Sequence, residues 1–151
     1  MDKKKILIVD DDKTILTSFS EILQSKGYSI ETAESGTEAI SKTDKDYFNL
    51  VLLDIKLPDM EGIDLLNSIR ETNPRMMKIV VSGYASLENS VAALNRGADA
   101  YLIKPVDPEE LVRIVGEKLK KQENAGNMSQ EKVSEWIENR VRKLEQEYED
   151  N

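Results

Sequence analysis

Four short apolar runs in this chain end in side chains capable of ionic chemistry. Asp10 and Asp11 follow Ile6-Leu7-Ile8-Val9, Asp54 follows Leu50-Val51-Leu52-Leu53, Ser82 follows the run closing in Val80-Val81, and Lys104 follows Tyr101-Leu102-Ile103. Unbroken apolar runs this short, bounded by turn residues, read as strands buried on both faces, the habit of a parallel sheet covered by helices. Such sheets bind ligands at the carboxyl ends of their strands, so with the first strand near the centre these side chains converge on one rim. Three carboxylates forced together repel one another and lose hydration unless a cation sits among them. Mg²⁺ suits the place, because it takes oxygen ligands, needs only one or two carboxylates, and keeps waters that a phosphate oxygen can replace. Lys104 adds a point charge opposite the acids and Ser82 a hydroxyl donor. A carboxylate nucleophile, a metal and two groups for phosphoryl oxygens are what phosphoryl transfer to an aspartate requires. Taken singly, the same residues read otherwise: Asp54 caps the turn after it, Ser82 is a turn residue, Lys104 a solvated surface lysine and Tyr101 core.

Composition removes other chemistries. With no Cys there is no disulfide framework, thiolate nucleophile or zinc-thiolate site, and with no His there is no imidazole base, histidine-bound metal or Ser-His-Asp triad. A formal net charge of -8 argues against a nucleic-acid-binding surface. The run from Ile6 to Val9 behind Lys3-Lys4-Lys5 is too short for a signal peptide or membrane span, so a soluble cytoplasmic protein is expected, with no membrane partner. The 151 residues suffice for one domain and an appendage.

Helices are expected between the strands. Asp12 is a candidate N-cap for a helix carrying Ile15, Leu16, Phe19, Ile22 and Leu23 and closed by Gly27. Residues 28–33 alternate weakly as a strand, and Ser35 with Glu38 has capping-box spacing. Ile63, Leu65, Leu66 and Ile69 mark a third helix ended by Asn73-Pro74, and Ser86 caps a fourth that stops at Gly97. Asp107, Pro108 and Glu110 open a fifth through Leu111, Ile114, Val115 and Leu119. Five strands alternating with five helices make a parallel α/β sheet with right-handed crossovers the economical solution.

The segments Ile6-Leu7-Ile8-Val9-Asp10-Asp11-Asp12, residues 50–62 with Asp54, Pro58 and Gly62, Val80-Val81-Ser82-Gly83, and residues 97–105 ending in Lys104-Pro105 together resemble the signatures of response-regulator receiver domains of two-component systems, in their order and spacing. The resemblance covers roughly residues 4–121. It implies a flavodoxin-like (βα)5 doubly wound fold with a five-stranded parallel sheet, like that of chemotaxis regulators, and makes Asp54 the phospho-acceptor. It further implies that Asp11, Asp54 and the backbone carbonyl of Lys56 bind Mg²⁺, with Asp10 acting through water. By the same matching Ser82 and Lys104 stabilise the phosphoryl group, Ser82 and Tyr101 form the switch, and the Lys104-Pro105 bond is cis. The implied partner is a sensor histidine kinase or a phosphotransfer protein, with an output partner the sequence does not name. Ser82 in place of the commoner Thr, and Val106 where many relatives have Phe, leave the subfamily open.

Two other classes compete with a phosphorylatable switch that catalyses only its own phosphorylation and dephosphorylation. An Asp-nucleophile phosphohydrolase commonly has a second Asp two residues after the nucleophile, where this chain has Lys56. A phosphorylation-independent interaction module has no need of every acid, hydroxyl and lysine at the rim. Lys56 and Tyr84 read as loop surface, or as positions that tune attack by water. Beyond a receiver domain at 1–121, polar residues with Gly126 read as a linker over 122–128, and 129–151 as an amphipathic helix. Its stripe of Val133, Ile137, Val141, Leu144 and Tyr148, widened by Trp136, is expected to dock on the receiver, an absent partner or a second copy, with a homodimer favoured.

Overall fold

Each apolar run forms a strand because its successive side chains enter helical layers on opposite sides of the sheet. The computed structural model describes residues 3–149 except Asn73 and Ala85, with the side chains of 127–133 also outside the description. The elements are β1 (Lys5–Val9), α1 (Lys13–Ser25), β2 (Ser29–Ala33), α2 (Gly36–Lys45), β3 (Leu50–Asp54), α3 (Gly62–Ser68), β4 (Met77–Ser82), α4 (Leu87–Asn95), β5 (Ala100–Ile103) and α5 (Pro108–Glu149). Strand order is β2-β1-β3-β4-β5 and every pairing is parallel. Leu7, Val9, Val51, Leu53 and Val80 pack against Ala39, Leu65, Leu66 and Ala93 from α2 to α4. Their neighbours Ile6, Ile8, Leu50, Leu52, Ile79 and Val81 meet Leu16, Phe19 and Leu23 of α1 and Leu111, Val115 and Leu119 of α5. Neither face of the central strands can be polar, and each large apolar side chain taken from water contributes about 1.5–3 kcal/mol.

The expected caps form. Asp12 accepts from the Thr14 amide at 2.9 Å, Ser86 from Asn89 at 3.0 Å and Asp107 from Glu109 at 2.8 Å. Ser35 accepts from Glu38 at 3.1 Å, while the Glu38 carboxylate reaches the Glu34 amide at 2.9 Å, one residue outside the usual capping box. Gly27 and Gly97 turn the chain after α1 and α4 with φ of 92° and 98°, a region that L side chains avoid.

Two boundaries differ from expectation. Helix α3 ends at Ser68, well before Asn73, which lies outside the described residues. The Ser68 hydroxyl donates to the Asp64 carbonyl at 3.0 Å, and Ile69 turns extended to enter the core. The second difference is the linker: 122–128 is helix, and the C-terminal helical segment is the continuation of α5. Gln122, Glu123 and Ala125 are sound helix formers, no proline interrupts them, and one Gly costs a helix interior only about 1 kcal/mol. Gln122 is buried; its amide donates to the carbonyls of Asn49 at 2.9 Å and Arg75 at 2.6 Å and accepts from the Asn49 side chain at 3.2 Å. The first residue of the expected linker is therefore the bolt that holds α5 to the amino-terminal edge of β3 and β4.

Replacing Gln122 with Ala strands those buried carbonyls, so the domain should lose about 1–3 kcal/mol in urea unfolding. An unchanged midpoint would show that water satisfies the carbonyls equally well.

Candidate functional site

The strand order reverses between β1 and β3, since the chain leaves β1 to build β2 on one side and returns to build β3 on the other. A crevice forms at the carboxyl ends of strands where such a reversal occurs. Asp10 follows β1 directly and Asp54 is the last residue of β3. One carboxylate oxygen each from Asp10, Asp11 and Asp54 lies within 4.8 Å of the other two; Asp10 and Asp54 are buried and Asp11 faces solvent.

Lys104 answers this charge. Its Nζ donates to Asp10 Oδ2 at 2.8 Å and to Asp54 Oδ2 at 3.2 Å. Its backbone amide donates to the Ser82 carbonyl at 2.8 Å, and the bond to Pro105 is cis. Burial pushes the Asp10 carboxyl above the usual range, against the lowering by Lys104 and by the Asp12 amide, which donates to Asp10 at 2.9 Å; the Asp54 charge adds to the rise. Burial draws the Lys104 ammonium down, but the hydrogen bond and charge of Asp10, with those of Asp54, outweigh it and hold the amine above its ordinary value. The cluster keeps its lysine charged.

Asp54 holds both of the positions open to it. One oxygen faces Lys104, and the other accepts from the Lys56 amide at 3.3 Å, a long contact across the turn. Lys56 bridges to Glu61 across the loop after β3, and its ammonium stands 4.3 Å from the centre of the Tyr84 ring. These two positions thus meet over the rim. Gly62 seats α3 against the site: a Cβ there would fall 2.2 Å from the Asp54 carbonyl oxygen, with no room to give. Asp59, in the same loop, accepts from the amides of Gly36 and Thr37 at 2.9 Å each and ties the acceptor loop to the start of α2.

Ser82 is fully buried, and its hydroxyl accepts from the Tyr84 amide at 2.9 Å. The Tyr84 carbonyl in turn accepts from the Tyr101 hydroxyl at 3.2 Å. The structure therefore bonds Lys104 to Asp10 and Asp54 with Asp11 close beside them, and places Ser82 and Tyr101 at the two ends of one hydrogen-bonded path through the backbone of Tyr84. The ties made by Asp59 and Gln122, and the Tyr84 backbone as a link between Ser82 and Tyr101, are not expected from the sequence, because each depends on contacts between distant segments. Only the Asp/Asn-type turn preference of position 59 hinted at its part.

A doubly wound sheet with acids and a lysine gathered at its switch point defines the class of protein. Residues 6–116 match the family model of the response regulator receiver domain, and the chain belongs to this family of phosphorylation-activated signalling switches. It is 38% identical over 114 residues to the transcriptional regulatory protein ZraR of Klebsiella oxytoca, covering 76% of this chain and 26% of that protein. It thus spans about a quarter of the length of the curated relatives it matches. Among solved structures, a CheY-like receiver domain protein from Methanospirillum hungatei JF-1 shares 53% identity with a TM-score of 0.79, covering 83% of this chain and all of that one. The beryllofluoride-activated NtrC4 receiver domain dimer shares 31% identity with a TM-score of 0.74, covering 78% of this chain and 98% of that one. No helix among the described residues is long and apolar enough to cross a membrane.

The Thr37 hydroxyl, which donates to Asp59 at 2.5 Å, and then the Gly36 and Thr37 amides lower the Asp59 carboxyl from the ordinary 3.8 to about 2. Because the folded value is the lower one, the ionised carboxylate stabilises the fold above the ordinary carboxylate range and loses that contribution as pH falls through the folded value. Asp59→Asn should therefore be less stable than wild type at neutral pH, with the gap closing on acidification and with added salt. A gap in melting temperature that is constant between neutral and strongly acid pH would remove Asp59 from this tie.

Proposed function

We propose that this chain accepts a phosphoryl group on Asp54 from a partner histidine kinase or phosphotransfer protein and thereby changes its partner-binding surface. The observation that carries the reading is the meeting of three carboxylates with Lys104, which bridges the buried pair. This sequence has no His, so the donor is a phosphohistidine outside it or a small phosphodonor. In the transfer, a carboxylate oxygen of Asp54 bonds to phosphorus as the phosphorus–nitrogen bond of the donor breaks, leaving the imidazole nitrogen with the electron pair. Lys104, charged and within 3.2 Å of Asp54, is placed to ion-pair with the incoming phosphoryl oxygens, its bond to Asp10 fixing its direction.

The donor set fits Mg²⁺: hard oxygens from Asp11 and Asp54, the Lys56 backbone carbonyl, and Asp10 through water, beside an exposed edge where a hydrated ion can enter. When bound, Mg²⁺ neutralises charge on the acids and on the phosphoryl oxygens. The Ser82 hydroxyl serves as donor to the phosphoryl group. Drawing Ser82 inward pulls on the Tyr84 amide, and Tyr84 pulls on Tyr101, so the loop after β4 and the exposed edge of β5 move together. The same reading makes the protein cytoplasmic and limits its catalysis to its own phosphorylation and dephosphorylation. Against a phosphohydrolase stands Lys56, whose cation lies on the Tyr84 ring where such an enzyme would want a second carboxylate.

Incubation with acetyl phosphate and Mg²⁺ should add the mass of one phosphoryl group to the wild-type chain and none to Asp54→Asn. Equal labelling of the variant would refute Asp54 as acceptor. Asp11→Asn should weaken Mg²⁺ binding by about ten-fold or more, at least the cost of losing a group that merely supports a metal ligand. Unchanged affinity by calorimetry would put Asp11 outside the coordination sphere.

A further inference from the structure

From Glu123 onward every described side chain of α5 is exposed, yet the sequence there is not uniformly polar. Ile137, Val141, Leu144 and Tyr148 are 50, 47, 51 and 89% exposed, and Trp136 beside them is 68% exposed. Val133, the remaining member of the expected stripe, has its side chain outside the described residues. No described residue of the receiver body covers the stripe, which excludes the first of its three candidate occupants from this arrangement. A row of this kind on an isolated helix marks a contact surface.

The spacing says what fits it. Ile137 and Leu144 are seven residues apart, as are Val141 and Tyr148, and the two series interleave by four, three and four. This is the seam of a left-handed coiled coil, with Val141 and Tyr148 at the first heptad position and Ile137 and Leu144 at the fourth. In the central layers Val141 at the first position stands beside Leu144 at the fourth, the combination that favours two strands. The flanking charges then choose direction. With parallel strands, Arg140 of each helix faces Glu145 of the other, and both contacts attract. In the antiparallel pairing that keeps the same four layers, Glu138 faces Glu145 twice in repulsion, offsetting two contacts of Arg140 with Glu147.

We propose that residues 137–148 of α5 pair with the same segment of a second copy of this chain as a parallel two-stranded coiled coil. The two receiver bodies then sit at one end, each separated from the seam by the stretch from Gln122 to Ile137, roughly 22 Å of helix. The seam is short, so the association is concentration-dependent, and it does not rest on phosphorylation of Asp54.

Sedimentation velocity of the full chain over a wide concentration range should show a monomer giving way to a dimer. Leu144→Asp, at an exposed position, should raise the dissociation constant at least ten-fold while leaving the melting of the receiver body unchanged. Arg140→Glu should weaken the dimer, and adding Glu145→Arg should restore it. A monomer at every concentration, or a dimer indifferent to Leu144→Asp, overturns the proposal. Restoration by Glu147→Arg in place of Glu145→Arg overturns the parallel arrangement.

Discussion

The bridge from Lys104 to Asp10 and Asp54 is the interaction on which the rim depends. Two like charges under 5 Å apart repel by about 3 to 4 kcal/mol at an effective dielectric near 20, and burial adds the loss of hydration. Without a cation between them, the ends of β1 and β3 could not be held in register with both acids ionised. The lysine follows β5, two strands from β3 and three from β1, and reaches the acids with its backbone fastened to Ser82 at the end of β4. Three strand ends are thus tied by one side chain, and the sheet beneath is what gives that side chain its reach.

The same economy leaves the site poised. Lys104 makes two contacts to acids, while Asp11 stays exposed at the open edge, so the cluster retains negative charge facing solvent. Such an edge is electrostatically favourable to a small hydrated cation and unfavourable to an unaccompanied anion. Ser82, by contrast, is wholly buried and accepts from the Tyr84 amide, which fastens the loop outside to the end of β4. Hydrogen bonds thus run from the end of β4 through the Tyr84 backbone to Tyr101.

Much of this was legible in the sequence because burial on both faces demands unbroken apolar runs, and runs such as Leu50 to Leu53 have few other uses. The acids and lysine at their ends could then be placed on one rim by topology alone, and the caps at Asp12, Ser35, Ser86 and Asp107 followed from local hydrogen bonding. What escaped depends on contacts between distant segments. Asp59 looked like any loop acid until α2 presented its amides, and Gln122 looked like the start of a linker because a buried amide and a solvated one have the same sequence signature. The early end of α3 has a similar origin: Ile69 carries the right period for the helix but is claimed by the core in an extended conformation. Local pattern specified the elements, and tertiary partners decided where they stop.

The continuity of α5 has a mechanical consequence. Among the described side chains its last anchor on the body is Gln122, and the helix beyond is a lever of roughly 40 Å at 1.5 Å per residue, so a tilt of about 10° at the anchor sweeps the far end about 7 Å sideways. A flexible linker would dissipate such a tilt within a few residues. A helix keeps it, and also carries any rotation about its own axis to the far end, where turning by a fraction of a turn changes which residues face a neighbour. Displacements too small to reshape the receiver's surface are thereby magnified at a distance, with the α5 anchor as fulcrum.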